Sequence, residues 1–150
     1  MKRIYIAAAV TAFALLLSGC GKNAASNLDF SMPDSPKEFV VTTFTDPNDE
    51  SVNYAALEFD GKTYVKYGTL SGEIDKKDVG SCLGYLVEDG HQIQELRVFD
   101  LASDPEQNYL LTMDSQGIME NPSFFRNIET VGEDIETPSF IEDADYALWK

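Results

Sequence analysis

Histidine, cysteine and positive charge are scarce in this 150-residue chain, which has one histidine, two cysteines and 11 basic residues against 26 acidic ones. Each shortage closes off a chemistry. With His91 the only histidine, a zinc site would lack its third nitrogen or sulfur ligand. The formal charge of −15 repels phosphate backbones and so excludes nucleic acid as a partner. No glycine-rich phosphate loop, H-E-x-x-H or Ser-x-x-Lys motif occurs. The one extended apolar run, residues 4–17, falls short of the roughly 20 residues that cross a bilayer comfortably.

That short run is informative in its setting. Lys2 and Arg3 precede it, and Leu17-Ser18-Gly19-Cys20 closes it. A positive start, a brief apolar stretch and small residues at the cut describe a secretory signal peptide. The closing tetrad resembles the lipobox of bacterial lipoproteins. The resemblance implies that a diacylglyceryl group alkylates the Cys20 thiol and that a peptidase cuts before Cys20. In many bacteria the new amine is acylated as well. Each buried methylene contributes about 0.8 kcal/mol, so two or three chains hold the protein effectively permanently on a membrane. The implied location is the cell membrane or outer membrane, facing away from the cytoplasm, with lipid on Cys20 and no other cofactor.

Loss of residues 1–19 removes two basic residues and no acidic ones, leaving nine against 26 and a formal charge of −17. Contact with anionic lipid headgroups is opposed by that sign, so the acyl anchor acts without electrostatic help. Cationic partners or divalent ions are the natural complements, and the expected partner is a basic protein or a small ligand at the envelope. Residues 20–37 are polar, small and interrupted by Pro33 and Pro36, and read as the lipidated cysteine and its flexible tether. Residues 38–150 then suit one globular domain.

Within that body, short runs of β-branched and aromatic residues alternate with turn signals. "EFVVTTFT" (38–45) ends at Asp46-Pro47-Asn48. "VNYAALEF" and "KTYVKYGTL" flank Asp60-Gly61, and Asp89-Gly90 bends "CLGYLVEDGHQIQELRVFDL". "NYLLTM" (108–113) and "SFFRNI" (123–128) add two more strands. Only "EIDKKDVGSCLG" (73–84) offers a helix, and Gly80 and Gly84 limit it to a turn or two. Tyr146, Leu148 and Trp149 predict that the acidic C-terminus docks back on the domain. The expected fold is mainly β or α+β, a small antiparallel curled sheet or barrel with at most a short helix. The spacing of "YVKYGTL", "DKKDVGSCLGYL", "LRVFDLASDPEQNYLL" and "FFRN" is similar to that of small uncharacterised bacterial lipoproteins. This resemblance carries over no catalytic residue.

Candidate chemistry centres on Cys82, because Gly80-Ser81-Cys82-Leu83-Gly84 fits the G-x-C-x-G pattern of a nucleophile elbow. Such an elbow needs a buried strand before it and a helix after it, whereas "IDKKDV" precedes it here. Lipidation of Cys20 also leaves Cys82 without an internal disulfide partner. The expectation is a buried core cysteine in a packing turn. A cysteine hydrolase using Cys82 and His91 is the least favoured alternative. Residues 46–57 begin like a calcium loop, but Ser51 and Leu57 stand where glycine and a bidentate glutamate are needed. Tyr54, Tyr64, Tyr67, Tyr85, Phe99 and Tyr109 are expected to lie in core or cross-strand pairs. The function expected is a non-enzymatic, lipid-anchored envelope binding module. The alternative is an inhibitor or immunity protein against a cationic wall-degrading enzyme. Small β-barrel lipoproteins that inhibit lysozymes are similar in size and anchoring, but their motifs do not occur here.

Overall fold

A computed structural model describes residues 31–114 and 122–150, apart from the side chain of Gln94. Cys20, the leader and most of the tether lie outside the described residues. The described residues form nine strands: β1 (Lys37–Val40), β2 (Thr42–Asp46), β3 (Asp49–Phe59), β4 (Lys62–Leu70), β5 (Val79–Glu88), β6 (His91–Leu101), β7 (Tyr109–Asp114), β8 (Ser123–Asn127) and β9 (Ile141–Asp143). They form one strongly curled open sheet, a half-barrel, in the order β1-β5-β6-β7-β8-β4-β3-β2, with β9 added to β4. Among the described residues helix is limited to two single 3-10 turns, Ile128–Thr130 and Ala147–Trp149.

Both Asp-Gly pairs turn hairpins as expected. Asp60 and Gly61 adopt φ of 48° and 80°, and Asp89 and Gly90 adopt 50° and 75°. Two successive positive φ values match the right-handed twist of the flanking strands. Elsewhere the structure departs from local expectation. The run 38–45 is two strands, separated at Val41, and Lys37 belongs to β1 rather than to the tether. β1 pairs parallel to β5, while β2 pairs antiparallel to β3. The sheet's two edge strands are therefore consecutive in the chain, and a single residue carries the backbone from one edge to the other.

That crossover explains the curl. Phe39 on β1 and Phe59 on β3 stack with ring centroids 5.5 Å apart, although their strands lie near opposite ends of the sheet order. Lys37 strengthens the seam: its ammonium sits 4.2 Å from the centre of the Phe59 ring and 2.6 Å from a carboxylate oxygen of Asp60. Inside the curve, Leu57, Tyr64, Leu86, Val98, Leu110 and Phe125 pack with this pair. The convex face is also apolar. Tyr67, Phe99, Tyr109, Leu111 and Phe124 are covered there by Ile74, Phe140 and Ile141. Tyr109 to Met113 on β7 are consequently all buried, as befits a strand with both faces covered.

The C-terminus docks as its apolar residues predict. Leu148 packs on Tyr54, Ala56 and Val65, and the Trp149 indole N–H donates to the Lys66 carbonyl at 3.1 Å. The stretch 73–84 is corrected: one turn at residues 76–78 leads directly into β5, which starts at Val79.

Buried tyrosines make the fold sensitive to alkali. Tyr64 is fully buried, and its hydroxyl donates to the Gln107 carbonyl at 2.8 Å. Burial first, and then the negative charges of Asp104, Asp60 and Glu129, push its pKa up to about 12. Burial likewise raises Tyr109. In the unfolded chain these phenols titrate near about 10. Between about pH 10 and about 12, then, unfolded chains release protons that folded chains retain. Stability from this source is intact below that window and is lost as pH rises through it. Tyrosinate absorbance followed beside circular dichroism should show the last phenols ionising only as the sheet unfolds. Complete ionisation in a folded protein would contradict the assignment.

Candidate functional site

Cys82 lies on strand β5, opposite Phe99 of β6, and not in a turn. It is half-buried rather than fully buried and packs against the convex-face core. Burial raises the thiol's pKa, which favours the unreactive protonated form. The glycines around it answer to close neighbours on the adjoining strands. A Cβ on Gly80 would run into the Asp100 carboxylate, whose Oδ1 accepts the Ser81 N–H at 2.6 Å. A Cβ on Gly84 would run into the Lys37 carbonyl on β1. β5 carries an extra residue relative to β6 between Val79 and Cys82, and another between Cys82 and Gly84. Such bulges bend a strand and increase its twist. The G-x-C-x-G pattern thus marks close strand approach and curvature, without the strand-to-helix geometry of an elbow.

His91 is exposed at the start of β6, opposite Glu88, with Nδ1 2.9 Å from the Asp89 carbonyl. Six residues of β5 separate that position from Cys82, about 20 Å of strand. The structure does not bring the thiol and the imidazole together. Residues 46–57 form the β2–β3 turn and most of β3. Asp46 accepts the Asn48 N–H at 2.8 Å and the Tyr54 hydroxyl at 3.2 Å. Among the described residues no group of three or more His, Cys, Asp or Glu side chains is arranged to hold a metal ion.

Among the described residues two concavities stand out, at opposite ends of β7. The larger, about 530 Å³, lies on the convex side between the β4–β5 loop, the β6–β7 turn and the crossing segment 136–140. Glu73, Asp75, Asp78, Asp104 and Glu136 line it, with Lys77 the one cationic side chain among the described residues there. Lys77 is drawn to Asp75 at 3.1 Å. At the back of the cleft Asp104 accepts the Tyr109 N–H at 2.7 Å, and burial raises its pKa despite that bond. The cleft is therefore a place of concentrated negative charge with a few hydroxyl groups and the Phe140 ring for apolar contact.

The smaller concavity, about 180 Å³, is the open mouth of the half-barrel. Val41, Ala55, Leu86, Ile93, Leu96 and Phe125 form its walls and floor, and Glu88 and Asp114 stand at its edge. Along β7, Leu110, Thr112 and Asp114 share the inward face by two-residue alternation. Sequence reasoning did not single out these residues. The hydrophobic alternation that buries a strand is the same whether its inner face meets core or cavity.

Of the six aromatics expected in the core, Tyr54, Tyr64, Tyr67, Phe99 and Tyr109 are buried, and Tyr85 is half-buried with its hydroxyl donating to Glu38 at 2.8 Å. No family model, curated protein or solved structure matches this chain.

Proposed function

We propose that this protein is a lipid-anchored binding module of the bacterial envelope, held by acyl chains on Cys20 and engaging a positively charged partner. The observation that carries this reading is Leu17-Ser18-Gly19-Cys20 at the end of a positively charged, apolar leader. The −17 charge of residues 20–150 supports a cationic partner, because opposite fields accelerate encounter. The acidic cleft bounded by Asp75, Asp78 and Glu136 is the contact we favour, since it is concave and has a single basic side chain of its own. The alternative reading takes that partner to be a basic enzyme acting on the cell wall, in which case the module serves as its inhibitor or immunity protein.

Two measurements test the reading. With Cys20→Ala, the protein should leave the membrane fraction or accumulate with its leader uncut, whereas the unaltered protein partitions with membranes. Unchanged partitioning would refute the anchor. Capture of envelope extracts on the immobilised protein should retain a basic protein at low salt and release it at moderate salt. A yield free of basic proteins at low salt rejects the partner.

A further inference from the structure

We propose that the mouth of the half-barrel binds a small amphiphilic cation, an alkyl- or arylammonium whose apolar end enters the barrel while its nitrogen meets Glu88 and Asp114. The proposal is independent of the lipid anchor and of the acidic cleft.

Size gives the first argument. The mouth encloses about 180 Å³, and an apolar cavity of about 150 Å³ accommodates a six-carbon ring. Its walls give the second. Val41 at the strand crossover, Ala55 on β3, Leu86 on β5 and Ile93 and Leu96 on β6 present alkyl groups around the opening, above Phe125. All six belong to or pack on the inner core, and Val41, Ala55, Ile93 and Leu96 are only partly buried. Apolar concavities with a few convergent polar groups, at the mouths of barrels, are where small ligands bind.

The edge supplies the sign. Glu88 ends β5 and Asp114 ends β7, so two carboxylates from strands on either side of β6 stand at one opening. Among the described residues no basic side chain lines the mouth. An anion would meet both carboxylates at close range, and a neutral alcohol would use the apolar floor alone. An ammonium group uses floor and edge together.

The test is isothermal titration of the full chain in phosphatidylcholine vesicles, with protein-free vesicles as blank, using hexylammonium, hexanol and hexanoate. Hexylammonium should bind at least tenfold more tightly than hexanoate, with hexanol between them. The Glu88→Gln/Asp114→Asn pair should bring hexylammonium down to the affinity of hexanol. The Glu133→Gln/Asp134→Asn pair, two exposed carboxylates that line neither concavity, should leave it unchanged and so separates local contact from overall charge. Ala55→Phe should fill the mouth and abolish binding of all three. Absence of heat above the blank overturns the proposal, as does a cation preference that survives Glu88→Gln/Asp114→Asn. Undiminished binding to a folded Ala55→Phe protein would also overturn it. Should Ala55→Phe fail to fold, the carboxylate pair alone decides.

Discussion

Arg126→Ala is expected to destabilise the folded protein by about 3 kcal/mol, enough to lower its melting temperature by roughly 10–20 °C. Arg126 is a buried cation that forms no carboxylate ion pair among the described residues. Its Nε donates to the Thr130 hydroxyl at 2.8 Å, and Nη2 donates to the carbonyls of Thr130 at 2.8 Å and Glu133 at 3.3 Å. The guanidinium lies 5.1 Å from the centre of the Trp149 ring and 5.4 Å from that of Tyr67. One side chain thereby joins β8, the segment after it and the C-terminal turn. Truncation leaves acceptors without donors at roughly 1–3 kcal/mol each and removes contacts to two ring faces. Relief of the desolvated charge offsets part of this, which keeps the net loss near the lower end.

Urea unfolding of three further proteins checks the cause. Arg126→Lys should recover only part of the stability, since an ammonium cannot reproduce the planar fork. Trp149→Ala combined with Arg126→Ala should cost less than the two separately, because the residues are in contact. Strict additivity would mean that the ring contact contributes nothing.

Gly84→Ala is expected to cost about 2–3 kcal/mol and to act on one seam of the sheet. A methyl group there collides with the backbone of Lys37, its carbonyl oxygen foremost. Backbone cannot rotate aside as a flexible side chain can, so β1 must move away from β5. With it move the Phe39–Phe59 stack and the Lys37–Asp60 contact. The Val41 N–H, bonded to the Val87 carbonyl at 2.8 Å, reports the event. Its hydrogen exchange should accelerate far more in Gly84→Ala than exchange of amides in β7. Gly61→Ala provides the contrast. Nothing lies within 4 Å of a Cβ at that hairpin tip, so only the strain of φ +80° applies. Its effect should stay near about 1 kcal/mol and leave Val41 protected. Equal exchange at Val41 in both proteins would show that the close approach at Gly84 is not what limits β1.

These two positions also show how far the chain is legible by eye. Gly84 draws attention as one end of G-x-C-x-G, yet the structure assigns it to packing against Lys37, 47 positions earlier. Arg126 lies in a strand that the run "SFFRNI" announces, but nothing local marks it as buried. The two rings it lies against come from β4 and from the last turn of the chain. The helix offered by residues 73–84 misleads for a related reason: Val79, Cys82, Leu83 and Leu86 recur at three- and four-residue spacing. Two extra residues in β5 shift the two-residue alternation of the strand until it imitates a helical period.

Read alone, the sequence determines the hairpin at Asp60-Gly61, the hairpin at Asp89-Gly90, most strand segments and the docking of the C-terminal aromatics. It also carries the leader and Cys20 motif on which the proposed anchoring rests. All of these signals are local: a backbone angle that two residues favour, an alternation along one segment, a charge beside an apolar run. The tertiary structure decided the parallel seam between β1 and β5, the crossing at Val41, the distance between Cys82 and His91, and the open mouth edged by Glu88 and Asp114. Each of those depends on which distant strands become neighbours, and the residues concerned meet only after the sheet has curled.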